Sequence, residues 1–167
     1  MPEIHDTHAP GGSRPGHQSL EGTKMPEIHD TCPFCRPDAA RVRLSSPVAL
    51  VLEDGYPVNP GHLLVVPRRH VGDWFETTVA EREAILELLD QARADLDAEL
   101  APDGYNIGIN VGSAAGQTVA HVHVHLIPRF RDDVDDPTGG VRFVIPERGN
   151  YREPGKIPRA RPVKGAR

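Results

Sequence analysis

The 167-residue chain carries 19 Lys and Arg against 24 Asp and Glu, a formal charge of -5, with both signs mixed along most of its length. That length supports one domain with a real core rather than two, and the charge pattern excludes a general nucleic-acid binder, which would concentrate its basic residues in a patch. No apolar stretch approaches a membrane span and the polar N-terminus lacks a signal-peptide core, so a cytoplasmic protein without membrane attachment is expected.

Met1-Pro2-Glu3-Ile4-His5-Asp6-Thr7 recurs at residues 25–31, a repeat far too short for a solenoid. The Gly-, Ser- and Pro-bearing sequence between the copies has no periodicity. Residues 1–24 are therefore read as a disordered extension, with no role for His5, His8 or His17, and 25–150 as the folded domain. Near its start stands Cys32-Pro33-Phe34-Cys35. Alone, this pair fits a redox couple, half a metal site or two small apolar residues; a disulfide framework is not indicated.

Within 42–53, the aliphatic segment 48–52 predicts a strand. The Gly- and Pro-rich stretch 54–61 then turns the chain, and 62–66 predicts a second short strand ended by Pro67. Thr78 and Glu81 have capping-box spacing and open one long helix. Along it Ile85, Leu88, Leu89, Ala92 and Leu96 form a stripe, with Glu81, Glu83, Arg93 and Asp97 mostly off it. Residues 105–111 predict another strand, the histidine-bearing strand follows a Gly-containing hairpin, and 141–145 predict a last one. Beyond Tyr151 the chain holds Arg152, Lys156, Arg159, Arg161, Lys164 and Arg167 against Glu153, so 151–167 reads as a basic disordered tail. The order of elements predicts an α+β fold, an antiparallel sheet with one helix on a face.

The run His121-Val122-His123-Val124-His125-Leu126-Ile127 alternates imidazoles with aliphatic residues. In an extended chain its three rings share one face while Val122, Val124 and Leu126 share the other. Rings titrating near neutrality suit phosphate chemistry or metal binding. An imidazole can attack phosphorus and be displaced by water, splitting one hard step into two. The central ring, His123, is best placed, with its neighbours about 7 Å along the strand on either side. Its second nitrogen needs a fixed acceptor. No acidic residue lies nearby in sequence, so a backbone carbonyl is expected.

From Asp54 to Arg129 the sequence resembles the histidine triad superfamily of nucleotide hydrolases and transferases. Residues 121–127 match its His-φ-His-φ-His-φ-φ signature, where φ is apolar, at every position. The string from Gly116 to His125 is most similar to the dinucleoside polyphosphate hydrolase branch, and the string from Pro60 to His70 resembles the second signature. Gly139-Gly140-Val141-Arg142-Phe143-Val144-Ile145-Pro146 also resembles the C-terminal segment of bacterial members.

The resemblance implies a homodimeric hydrolase that cleaves diadenosine tetraphosphate-like substrates at an α-phosphate through a nucleotide carried on His123. It implies phosphate contacts from His125, His62, Gln117, Thr118 and Asn110, and ribose contacts from Asp54; His62 alone would read as a half-buried ring and Asp54-Gly55 as a turn. It also implies a structural zinc on Cys32, Cys35, His70 and His121, a closed Cys2His2 set; without metal, His121 would orient the nucleophile's strand. Magnesium is the ion expected to accompany the substrate. A phosphoramidase or a nucleotidyltransferase is the alternative among enzymes, although superfamily transferases carry a different, two-histidine signature. A non-catalytic nucleotide-binding protein is the alternative of another class.

Overall fold

The computed structural model describes residues 29–152. The extension 1–24 lies outside the described residues, as does the basic tail beyond residue 152. Five strands, β1 (Val42–Ser45), β2 (Ala49–Glu53), β3 (Leu63–Pro67), β4 (Gly104–Ile109) and β5 (Val124–Arg129), form one sheet in the order β1-β2-β3-β5-β4. Every neighbouring pair is antiparallel. One helix, α1 (Val79–Leu100), crosses one face.

The aliphatic runs of β2 and β3 follow from burial on both sides of the sheet. Ala49, Val51, Leu63, Val65, Val124 and Leu126 pack beneath Ile85, Leu88, Leu89, Ala92 and Leu96 of α1, the stripe expected from the sequence. Leu50, Leu52, Leu64 and Val66 point the opposite way and are covered by Cys32 and Phe34. In the β3–β5 register Leu64 lies opposite His125, so His125 projects from the face away from the helix. The helix thus supports the sheet from behind, and the segment carrying the cysteines lies on the same side as the histidine rings.

Three local features differ from the sequence reading. The first is β1, whose alternation lasts only four residues at the sheet edge. Next, residues 141–145 do not form a strand; Gly140–Val144 is a 3-10 helix. Gly139, just before it, and Gly140, its first residue, both take positive φ and turn the chain, while Pro146 stops a ladder just after it. The third concerns the triad itself: β5 begins at Val124, so His121 and His123 stand on the approach, held where the Val122 amide donates to the Val71 carbonyl at 2.7 Å.

The start of α1 carries the capping box: the Thr78 hydroxyl accepts from the Glu81 amide, and the Glu81 carboxylate accepts from the Thr78 amide. Glu81 is buried rather than solvated, because Arg69 donates to both its oxygens at 2.8 Å. Burial opposes its ionisation, but Arg69 and Thr78 outweigh that and hold the carboxyl below its ordinary value of 4.5. A depressed carboxyl stabilises the fold above its unfolded value, and this stabilisation is lost as pH falls through the folded value. Glu81→Ala is expected to lower the unfolding free energy by about 2 kcal/mol at pH 7. In urea titrations the gap between variant and wild type should narrow as pH falls below the ordinary carboxyl value of 4.5.

Candidate functional site

Two clusters meet along the approach to β5. In the first, His121 is fully buried and its Nε2 lies 2.8 Å from the Pro67 carbonyl. A carbonyl can only accept, so Nε2 carries the proton and Nδ1 presents a lone pair. That Nδ1 faces two sulfurs, Cys32 Sγ at 3.4 Å and Cys35 Sγ at 3.6 Å. Cys35 Sγ is in turn 3.2 Å from His70 Nδ1. Tetrahedral zinc would set thiolate and imidazole atoms about 3.5 Å apart, so the Cys32, Cys35, His70 and His121 set fits a small cation. Burial pushes the His121 pKa down to about 4, which leaves the ring neutral at pH 7, as a ligand must be. Burial also pushes the Cys35 thiol up, with Cys32 adding to it, a tendency a cation would reverse. The Pro67 carbonyl fixes the ring orientation from outside the cluster.

In the second cluster the His123 Nδ1 donates to the carbonyl of His121 at 2.8 Å, so the acceptor is the expected backbone group. A neutral His123 ring therefore carries its lone pair on Nε2. Phe34 packs against this ring, with centroids 5.2 Å apart, and fixes its plane. His125 stands beside it, with ring centroids 5.2 Å apart. The His125 Nδ1 meets His62 Nε2 at 3.0 Å across the β3–β5 junction. His62 is placed by Gly61, whose φ of +79° suits only glycine and which lies so close to α1 that a Cβ would come within 2.7 Å of Leu100 and 2.8 Å of Leu96. The Val58 amide donates to His62 Nδ1 at 3.3 Å, and Asp54 Oδ2 lies 3.4 Å from the same nitrogen. Burial lowers the pKa of both His62 and His125, and Asp54 pulls each back up.

The remaining polar candidates are placed less uniformly. Gln117 ties the loop between β4 and β5 to the one between β3 and α1: its Oε1 accepts from the Gly112 amide and its Nε2 donates to the Gly72 carbonyl, both at 2.7 Å. Asn110 is half-buried beside Gly116, and Thr118 is exposed. The sequence reading did not single out His29, whose ring stacks on His70 with centroids 3.8 Å apart. Its place in the repeated heptapeptide offered no signal of that contact.

The HIT domain family model matches residues 39–132, over half of the chain, and the chain belongs to the HIT family. It is 39% identical over 95 residues to a Mycobacterium tuberculosis (strain CDC 1551 / Oshkosh) protein named AP-4-A phosphorylase, covering 55% of this chain and 48% of that one. It is 38% identical over 80 residues to a Schizosaccharomyces pombe protein named Bis(5'-nucleosyl)-tetraphosphatase (asymmetrical), covering 48% of this chain and 44% of that one. The matched stretch spans about half the length of these curated relatives. Among solved structures it is similar to a HIT family protein from Bacillus anthracis, at 33% identity and a TM-score of 0.59 over 62% of this chain and 77% of that one. It is also similar to a Zn-bound histidine triad family protein from Mycobacterium smegmatis, at 31% identity and a TM-score of 0.56 over 62% and 78%. No helix among the described residues is long and apolar enough to cross a membrane.

Proposed function

We propose that this chain is a nucleotide hydrolase that cleaves dinucleoside polyphosphates, such as diadenosine tetraphosphate, at an α-phosphate through a nucleotide held covalently on His123. One observation carries this reading: the His123 Nδ1 is committed to the His121 carbonyl, which leaves a lone pair on Nε2 beside His125. Nε2 attacks phosphorus, the bond to the leaving polyphosphate oxygen breaks, and that oxygen takes a proton. Water then attacks the same phosphorus, the phosphorus–nitrogen bond breaks, and the water's proton is taken up by the protein. His125 and His62 supply the donors around the charged oxygens, with Asn110 and Thr118 at the rim. Gln117 reaches a phosphate by exchanging one of its two loop bonds, and Asp54 accepts from the ribose hydroxyls. Relatives whose names refer to diadenosine tetraphosphate and bis(5'-nucleosyl) tetraphosphate support the substrate class.

The M. tuberculosis relative's name favours a second acceptor, inorganic phosphate in place of water. The same His123 intermediate would serve, and the released nucleotide would carry one more phosphate. A structural zinc on Cys32, Cys35, His70 and His121 would hold the approach to β5 in place. A homodimer completes the reading, supported by β4, an edge strand that exposes Ile107.

Wild type mixed with labelled diadenosine tetraphosphate is expected to turn over and to yield a nucleotide adduct after quenching without acid. His123→Ala should lose at least about 1,000-fold in rate; a variant as active as wild type ends the reading. Repeating the assay with added phosphate separates the two acceptors by the product formed. Metal analysis should find one zinc per wild-type chain and a loss in Cys35→Ser; a metal-free wild type ends the zinc assignment. Sedimentation equilibrium should return twice the chain mass, and a monomer would rule out the dimer.

A further inference from the structure

The face that carries His125 does not end there. Along β5, His125, Ile127 and Arg129 are half-buried on the face away from α1, and Val124, Leu126 and Pro128 between them are buried. Across the β4–β5 register the three half-buried residues lie opposite Gly108, Asn106 and Gly104. A Cβ built on Gly108 would meet no atom of the described residues within 4 Å, so the sheet is open beside His125. The four residues from His125 to Arg129 span about 13 Å, and this stretch forms a shallow trough leading away from His125.

At the far end of the trough lies a cavity of about 480 Å³, whose lining includes Asn106, Arg129, Phe130, Val134 and Pro137. The chain after β5 closes over it: a Cβ on Gly140 would come within 3.5 Å of the Asn106 side-chain nitrogen. The Arg129 guanidinium is pinned there by three bonds. Its Nε and Nη2 donate to the two oxygens of Asp133, both at 2.7 Å, and its Nη1 donates to the Asn106 side-chain oxygen. Held by its edge in this way, a guanidinium offers a flat face that stacks on planar rings rather than a fork for a phosphate.

The charge of the cavity points the same way. Arg129 is paired with Asp133 and Arg131 with Asp103, while Asp132 and Asp135 add two further carboxylates to the walls. The lining is therefore net negative. It repels phosphate, and it suits a neutral group with hydroxyls and amino groups to donate. Phe130, Val134 and Pro137 supply apolar surface for a ring.

We propose that this cavity takes the second nucleoside of a dinucleoside polyphosphate, the one carried off with the leaving phosphates. The inference rests on the hydrolase reading above and deepens it. The trough over Gly108 and Ile127 carries the leaving polyphosphate away from His125, the base stacks on Arg129, and the ribose and amino groups donate to Asp132 and Asp135. Gly108 is a specificity-determining position, because any side chain there stands in the path. Asp133 and Asn106 are positioning residues that act through Arg129 by fixing its plane.

The test uses the full chain, its Gly108→Leu and Val134→Trp variants, and two substrates of equal charge. These are diadenosine tetraphosphate and an analogue in which a methyl group replaces one nucleoside. Wild type is expected to favour the dinucleotide by about tenfold in kcat/KM. Both variants should lose that preference while turning over the methyl analogue within about twofold of wild type, which also shows that they fold. No preference in wild type, a preference that survives both substitutions, or a loss equal for both substrates would overturn the subsite and leave the hydrolase intact. Binding is read separately in His123→Ala, which keeps the ligand whole. There the Arg129 Nε 15N resonance should shift with diadenosine tetraphosphate and not with the methyl analogue. A wild-type protein without turnover ends the hydrolase reading. If the Arg129 signal still shifts, the cavity stands as a nucleoside site; if it does not, the subsite falls as well.

Discussion

The arrangement depends on a single residue that faces two ways. The ring of His121 presents Nδ1 to the cysteine sulfurs and donates from Nε2 to the Pro67 carbonyl, while its own carbonyl accepts from His123. One buried side chain and one peptide oxygen therefore join the cysteine cluster to the proposed nucleophile with no intervening residue. The join needs no regular strand. The backbone at 121–123 is held by the Val122 bond to Val71, by a turn from the His121 amide to the Val119 carbonyl and by the ring contacts, and β5 starts only at Val124. A buried polar network of this kind is costly when half satisfied and rigid when complete, and among the described residues no buried side-chain polar atom lacks a partner.

This explains why the two faces of the sheet are unlike. The helical face is aliphatic and repetitive, and its task is burial. The other face carries Leu50, Leu52, Leu64 and Val66 under Cys32 and Phe34, and then gives way to imidazoles at its β5 side. Phe34 belongs to both regimes: it closes the second core and sets the planes of His121 and His123. Packing and chemistry thus share one short segment, Cys32-Pro33-Phe34-Cys35.

What could be read from the amino acids divides along the same line. Local signals were sufficient for α1, because the Thr78–Glu81 box and the stripe from Ile85 to Leu96 are contained in one stretch of chain. The aliphatic runs marked β2 and β3 for the same reason. Residues 141–145 looked equally strand-like, but side-chain preference lost there to two left-handed glycines and a proline. At the site, the backbone acceptor for His123 followed from the lack of nearby acids. The joining of the cysteines to His70 and His121 needed the family resemblance, since pairs separated by 35, 86 and 89 residues have no spacing rule. The His62–His125 contact was hidden in the register of β3 against β5. The commitment of the Gln117 amide to the loop was likewise invisible, because an amide pointing at phosphate and one pointing at backbone are the same letter.

Gly61 gives the turn after β2 an uneven tolerance to change. A side chain at that position would collide with Leu96 and Leu100 and would also have to adopt φ of +79°. Tyr56 and Val58, a few residues earlier, are 92% and 67% exposed. Side chains at 56 and 58 can therefore change with little effect on packing, short of proline, because both amides donate to the groups around His62. At 61 any side chain would have to push the ends of Leu96 and Leu100 aside and hold a left-handed backbone, so a substitution strains the residue next to His62.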